Sequence, residues 1–149
     1  MRIVFANDHA AFEARVALIE HLRDLGHEVL DCGTSTKESV DYPCVVVPAI
    51  KALREGAVDR IVLMCGSGLG VSIAANRYEG IRCALCTDEY AAEMSRRHNN
   101  ANAIALRARE QDPAMNIRVL DKWLTTDYEG GRHQRRVELI DSMPKNEKF

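Results

Sequence analysis

The chain has 149 residues, 46% of them apolar, which is about the size of one domain with its own core. Its 22 acidic and 20 basic residues give a formal charge of -2, which is unlike the basic surface of a nucleic-acid binder or a polybasic membrane protein. Apolar runs such as residues 44–50 are too short for a membrane-spanning helix, which needs about twenty residues. With no leader pattern at its start, the sequence predicts one cytoplasmic domain, residues 1–149, without nucleic-acid or membrane partners.

Strand-like and helix-like segments alternate along the chain. Short runs rich in β-branched and apolar residues predict five strands, at residues 2–6, 27–30, 60–64, 81–85 and 103–106. Apolar residues at helical spacing predict helices between them, over residues 12–25, 43–56, about 69–76 and 88–97. Two further helices follow the last strand, at about 112–124 and 131–140, with a hinge-like break at 128–131.

This alternation predicts an α/β fold, a three-layer α/β/α sandwich with a five-stranded parallel Rossmann-like sheet and a C-terminal helical arm. Ligands of such sheets bind beyond the carboxyl ends of the strands. We therefore expect the chemically unusual residues of this chain to meet at that edge.

The five cysteines form an odd set, so reduced thiols are expected rather than a disulfide framework. Cys83 and Cys86 spell C-x-x-C, which admits a redox protein or a zinc site. They fall in a predicted strand, however, where residues three apart point to opposite faces. No second C-x-x-C or histidine pair supplies further zinc ligands, so no metal is predicted.

A glycine-rich turn, Cys65-Gly66-Ser67-Gly68-Leu69-Gly70, follows the third strand. Alternating glycines between a strand and a helix let backbone N–H groups converge on an anion. Val71 stands where a dinucleotide fingerprint needs glycine and where a C-x5-R phosphatase needs arginine, so neither class fits. What the turn retains is a thiol facing N–H donors, a setting that suits a base or nucleophile. A small buried cysteine before a tight turn is the alternative.

Three other polar clusters flank the predicted elements. Asp8 and His9 follow the first strand, where Asp8 is either a ligand residue or a helix cap. His98 and Asn99 close the fourth helix, where a histidine is commonly only a cap. Two arginines four residues apart, Arg132 and Arg136, suit a phosphate or carboxylate, or else a solvated basic face.

Taken together and in order, these motifs resemble the ribose-5-phosphate isomerase B family, which also includes allose- and galactose-6-phosphate isomerases. The matching segments are residues 8–9, 41–43, 65–70, 73–76, 98–99 and 130–133, and the resemblance extends to about Ile140. It implies an aldose–ketose isomerase that acts on a sugar phosphate through a cis-enediolate, most simply on ribose 5-phosphate and ribulose 5-phosphate.

The resemblance also implies a role for each site residue. Cys65 is the base, His98 is the acid that opens the sugar ring, and Asp8 and Asn99 handle hydroxyl groups. The oxygens of the enediolate bind to the Ser67 hydroxyl and to the backbone of Gly66, Ser67, Gly68, Leu69 and Gly70. Phosphate binds to His9, Arg132 and Arg136, and Arg109 is a further substrate contact. No metal or other cofactor is implied, and the members are homodimers or dimers of dimers whose active sites are built from both chains.

Two positions depart from the family pattern. Ala11 replaces a usual glycine near the phosphate site, and Arg107 adds a charge near the sugar. Val71 cannot ionise, which places the chain with the members that use a cysteine base rather than with those that carry a glutamate there. A four- or six-carbon sugar phosphate therefore stays open as the substrate, as does a non-catalytic sugar-phosphate sensor on the same fold.

Overall fold

The computed structural model describes residues 1–143; the predicted domain of residues 1–149 extends past this range into residues that lie outside the described ones. Five strands form one sheet in the order β2-β1-β3-β5-β4, and every neighbouring pair is parallel. The strands are β1 (Arg2–Asn7), β2 (Glu28–Asp31), β3 (Arg60–Cys65), β4 (Cys83–Leu85) and β5 (Ala103–Arg107). The predicted α/β sheet is thus confirmed.

Six α-helices accompany these strands in the described range: α1 (Ala14–Asp24), α2 (Tyr42–Arg54), α3 (Leu69–Ala75), α4 (Glu89–Arg97), α5 (Pro113–Thr125) and α6 (Gln134–Ser142). Aspartate side chains cap the first turns of α4 and α5. The Asp88 carboxylate accepts the N–H of Ala91 at 2.8 Å, and that of Asp112 accepts the N–H of Ala114 at 3.0 Å. Short 3₁₀ helices lie at His9–Ala11 and Gly131–His133.

The core lies on both faces of the sheet because successive strand residues point to opposite sides. One face buries alternate strand residues such as Val4 and Leu63 against α2 and α3. The other buries Phe5 and Val62 against α1, α4 and α5, together with Trp123. This arrangement is the predicted three-layer sandwich.

Some predicted bounds are wrong. The first helix begins at Ala14 rather than at residue 12, because the chain first makes the 3₁₀ turn; Val16 and Leu25, expected on its apolar face, are exposed. β4 is shorter than the predicted 81–85. The last helix, α6, contacts the residue just before β4, since Asp141 accepts two hydrogen bonds from Arg82 at 2.8 Å. Over residues 1–143, no helix has the length and apolarity to cross a membrane.

From β1 the chain moves to β2 on one side of it and then crosses back to β3 on the other side, so the strand order switches direction between β1 and β3. Parallel sheets open a crevice at such a point, outside the carboxyl ends of the strands. Asp8 and Cys65 both lie there, and the Asp8 N–H donates to the carbonyl of Met64 at 3.1 Å. The fold therefore brings two of the expected site residues together.

Candidate active site

A cleft of about 550 Å³ opens at this edge of the sheet. Eight of the predicted site residues line it: Asp8, His9, Cys65, Gly66, Ser67, Leu69, Gly70 and Arg109. Arg107, which the sequence predicts to add a charge near the sugar, lines it as well. The lining residues that sequence analysis did not place in the site are Ala10, Tyr42, Leu85, Thr87 and Glu110.

Cys65 ends β3 and is 4% exposed. Its Sγ atom accepts the backbone N–H of Gly68 at 3.1 Å, so the predicted contact between the thiol and the glycine turn is present. Gly68 has a positive φ of 76°, and a Cβ there would lie 3.0 Å from the carbonyl oxygen of Leu106. Only glycine meets both conditions easily, so the turn and the position of the thiol depend on that residue.

Two backbone N–H groups of the turn already donate hydrogen bonds to side chains of the same turn. Gly68 donates to the thiol, and Leu69 donates to the Ser67 hydroxyl oxygen at 3.3 Å. The first turn of α3 adds N–H groups that have no intrahelical acceptor. The remaining N–H groups of this loop and the Ser67 O–H are therefore the donors left to bind an anion.

Asp8 and His9 form the opposite wall of the cleft. One carboxylate oxygen of Asp8 accepts the N–H of Ala10 at 2.9 Å, so the capping role is real, although it occupies only one of the two oxygens. His9 accepts the N–H of Val40 through Nδ1 at 3.3 Å. This assignment places the ring proton on Nε2, which is then the donor available to an anion.

Two arginines complete the cleft at the end of β5. Arg107 pairs in register with Cys65 across the sheet, and its Nε donates to Gln111 at 2.8 Å. Arg109 lies over Gly66, with its guanidinium carbon 3.5 Å from the position that a Cβ would occupy. Glu110 has a positive φ of 54°, a conformation that non-glycine residues adopt mainly at functional sites and tight turns.

Of the other five predicted residues, Gly68 belongs to the glycine turn but does not line the cleft. The remaining four, His98, Asn99, Arg132 and Arg136, lie elsewhere. Because α4 runs antiparallel to the strands, its last turn lies at their amino ends. There the Asn99 carbonyl accepts from Arg82, which precedes β4. The five residues of β5 separate the two edges by about 15 Å. The expectation that all unusual residues meet at the carboxyl edge is therefore wrong for this group.

The group at the amino edge has a structure of its own. The rings of His98 and His133 stack at 4.2 Å with planes 10° apart. Glu129 lies beside them, 3.5 Å from His133 Nε2 and 4.0 Å from His98 Nε2. Burial lowers the pKa of His133, the charges of His98 and Arg132 lower this pKa further, and Glu129 opposes them. Asn99 lines a second cavity of about 500 Å³ beside this cluster.

His98, Glu129 and His133 are also a candidate set of metal ligands, since their ligand atoms lie within 4.8 Å of one another. Two features make the set a poor one. Lone pairs of nearly parallel imidazoles point side by side rather than at one ion. Arg97 already hydrogen-bonds the carboxylate, and Arg132 donates to His133 Nε2 at 3.4 Å. The set therefore fits a metal ion poorly.

The C-x-x-C pair behaves as the strand reading predicts. Cys83 belongs to the core on one face of the sheet and Cys86 to the core on the other. Burial raises the pKa of both thiols, that of Cys86 to about 11. The two thiols lie on opposite faces of the sheet, so they are not placed to form a disulfide or to share a zinc ion.

Some contributors were missed because the sequence alone does not show what they contact. The Tyr42 ring would lie 2.8 Å from a Cβ on Gly70, so it covers the glycine turn. A Cβ on Gly33 would lie 1.8 Å from the amide oxygen of Asn7, so that glycine leaves room for a buried amide next to Asp8. Only the pairing of distant segments reveals these contacts.

Comparison with known proteins places this geometry in a family. The family described as Ribose/Galactose Isomerase matches residues 3–140. Ribose-5-phosphate isomerase B of Escherichia coli is 41% identical over 142 residues, covering 95% of each chain. A putative sugar phosphate isomerase of Bacillus subtilis is 38% identical, covering 98% of this chain and 99% of its own.

Solved structures agree with these relatives. A ribose 5-phosphate isomerase from Thermotoga maritima superposes with a TM-score of 0.93 at 43% identity, covering 95% of this chain and 98% of its own. Ribose-5-phosphate isomerase B of Clostridium thermocellum gives 0.92 at 42% identity and covers 95% of both. The chain is therefore an aldose–ketose isomerase that belongs to the ribose/galactose isomerase family.

Proposed function

We propose that this isomerase interconverts ribose 5-phosphate and ribulose 5-phosphate. The relatives named above from E. coli, T. maritima and C. thermocellum are called ribose-5-phosphate isomerases. The observation that carries the proposal is the Cys65 thiol at the base of the cleft, with the N–H of Gly68 directed at its sulfur. Moving a proton between adjacent carbons requires an ionisable group held at such a point.

In the proposed reaction, the Cys65 thiolate removes the proton from C2 of the open-chain aldose. The electrons of the broken C–H bond form the C1–C2 double bond, and those of the carbonyl group move to its oxygen, giving a cis-enediolate. The free N–H groups of the loop and the Ser67 hydroxyl stabilise that oxyanion. A proton then passes from the C2 hydroxyl to the C1 oxygen, and the thiol returns its own proton to C1 as the C2 carbonyl forms and the thiolate is restored.

Ring opening precedes this step. We assign His98 as the acid that protonates the ring oxygen while the C1–O bond breaks and the anomeric hydroxyl loses its proton. Asp8 and Asn99 hydrogen-bond the sugar hydroxyls. His9, Arg132 and Arg136 bind the phosphate, for which guanidinium and imidazole N–H groups are suited donors. Arg109, which lies over Gly66, contacts the substrate beside the loop.

These roles require two chains. Cys65 and His98 lie at opposite edges of one sheet, so a single sugar cannot touch both within one chain. We therefore propose a homodimer or a dimer of dimers in which each site takes Cys65 and Asp8 from one protomer. Its partner supplies the four residues at the amino edge, His98, Asn99, Arg132 and Arg136. A twofold axis makes two identical sites in this way.

We propose further that the reaction needs no metal or other cofactor, because a thiol and an imidazole provide both proton transfers. The free thiols Cys32, Cys44, Cys65, Cys83 and Cys86 fit the reducing cytoplasm, where we place the enzyme. The balanced charge gives no reason to expect a nucleic-acid partner.

A four- or six-carbon sugar phosphate is the alternative substrate, and the observation that favours it is Arg107 in the cleft wall. Its guanidinium, held by Gln111, adds charge and bulk at the reacting end of the sugar. Ala11 has less influence than its sequence position suggests, because its methyl group is fully buried in the core beneath the cleft wall. A non-catalytic sensor is less well supported, since binding alone gives no use for the buried thiol.

Turnover of a panel of four-, five- and six-carbon sugar phosphates, with a chelator present, tests these proposals together. We expect the highest kcat/KM with ribose 5-phosphate. A preference for another length that reverts in Arg107→Ala would assign the alternative substrate. Tight binding without turnover of any sugar would make the protein a sensor, and loss of activity with the chelator would contradict metal independence.

A further inference from the structure

Glu129 is an acidic side chain whose carboxylate is held in place by a neighbour of His98. The Nε atom of Arg97 donates to Glu129 Oε1 at 2.6 Å, and a second guanidinium nitrogen contacts the same oxygen. The backbone N–H of Glu129 donates to the Arg97 carbonyl at 3.1 Å. Main chain and side chain together fix the carboxylate against the last turn of α4.

The other oxygen of Glu129 is directed at the stacked histidines. Oε2 lies 3.5 Å from His133 Nε2 and 4.0 Å from His98 Nε2, so it faces the same ring edge of both. His133 is buried at 5% exposure, and its ring backs the ring of His98 at 4.2 Å. One buried ring and one fixed carboxylate therefore restrict how the His98 imidazole can turn.

The charges around the pair are otherwise positive. Arg97 approaches from α4, Arg132 from the 3₁₀ helix and Arg136 from α6. Within residues 1–143, Glu129 is the acidic side chain that lies within 4.0 Å of both imidazole rings. For His133, the cationic neighbours disfavour the imidazolium form, and Glu129 offsets that repulsion.

We propose that Glu129 is a positioning residue for His98: clamped by Arg97, it orients the stacked His98–His133 pair so that the His98 imidazole can reach the ring oxygen of the sugar. This inference rests on the proposed role of His98 as the acid. Glu129 does not touch the substrate in this account. It acts through the imidazole, which gives up its proton to the ring oxygen and recovers one from water or product.

Glu93 provides a matched control. It also pairs with Arg97, at 2.9 Å, but its carboxylate lies toward Lys122 rather than the histidines. Glu129→Gln and Glu93→Gln each remove one carboxylate charge that pairs with Arg97. Only Glu129→Gln removes a charge that also faces the imidazoles. A general weakening of α4 affects both variants, whereas loss of positioning affects the first alone.

The test is steady-state kinetics of both variants on ribose 5-phosphate across about pH 6 to 9. For Glu129→Gln we expect kcat to fall about tenfold to a hundredfold with KM within about twofold. Glu93→Gln should match the parent enzyme in both constants. In the His98→Asn background, Glu129→Gln should cost nothing further, because the group on which it acts is gone.

Equal losses in the two glutamine variants, or a change in KM alone, overturn the positioning role. An additive loss in the double variant overturns it as well, since Glu129 would then act independently of His98. Failure of the underlying function looks different. In that case the unmodified enzyme has no isomerase activity, or His98→Asn alone leaves kcat unchanged.

Discussion

Cys65 and His98 lie at opposite ends of the same parallel sheet: Cys65 closes β3 at the carboxyl edge, and His98 follows α4 at the amino edge. Both are expected to act on one sugar. The fold therefore divides the proposed chemistry into two half-sites per chain, and this division can be tested directly.

Mixing two inactive variants should restore activity if the half-sites of different chains combine. Cys65→Ala and His98→Asn, unfolded and refolded together, form mixed dimers in which one of the two sites has both residues. For random pairing we expect about a quarter of the parent activity in the mixture. Each variant refolded alone is the control. A mixture no more active than its components would show that the residues do not act in one shared site.

Replacing the proposed base should remove the chemistry but leave binding. We expect Cys65→Ala to lower kcat about a thousandfold while the sugar phosphate still binds, because the phosphate donors lie on other residues. Cys44→Ser is the control, since Cys44 is an exposed thiol at the start of α2. Calorimetric titration and an isomerase assay measure the two effects. A kcat within tenfold of the parent value would remove the cysteine from the mechanism.

The glycine turn should be sensitive at one position in particular. Gly68→Ala puts an alanine into a left-handed backbone conformation. It also places a Cβ 2.5 Å from Leu85 Cδ1 and 3.0 Å from the Leu106 carbonyl oxygen. Gly80 has a similar φ, +74° against +76°, but nothing within 4 Å of its Cβ position. In urea unfolding we expect Gly80→Ala to cost about 1 kcal/mol and Gly68→Ala at least about 1 kcal/mol more.

The Gly68 variant should also lose kcat, because the turn directs its N–H at the sulfur of the proposed base, Cys65. Equal destabilisation of the two alanine variants would show that the loop yields to the extra methyl group without strain.

His133 should make the protein less stable as the pH falls. Burial lowers its pKa in the folded state below the ordinary value of about 6.5, so the unfolded chain binds more protons in that range. The associated stability is fully present above about pH 6.5 and decreases as the solution becomes more acidic. His133→Gln should therefore show a smaller drop in Tm between about pH 7 and pH 5 than the parent protein. Identical pH slopes would contradict the assignment.

Periodicity and capping residues were sufficient to predict the layers of this fold. Asp88 and Asp112 cap helices that begin where expected, and the strand around residues 60–64 pairs at the centre of the sheet. The start of the first helix was missed because a 3₁₀ turn after Asp8 has no apolar period. The short extent of β4 depends on the length of its contact with β5, which local sequence does not encode.

The site was predictable to the extent that its residues directly follow strands. Asp8 and Cys65 lie next to each other for that reason. His98 was misplaced because it precedes a strand, and residues before and after parallel strands lie at opposite edges of the sheet. Glu129 gave no sequence signal, since its contact with His98 depends on how the segment before α6 returns to the end of α4.

The order of strands has a consequence for how the enzyme is made. β5 lies between β3 and β4, yet it comes after α3, β4 and α4 in the chain. The strand that flanks Cys65 is thus added late, and β4 has no partner until β5 arrives. During synthesis on the ribosome, the glycine turn at residues 65–70 therefore lacks the support of β5 until Arg107 has emerged. Such non-local pairing is intrinsically slow. Substitutions in β5 should therefore reduce the yield of folded enzyme more than they reduce the activity of each folded molecule.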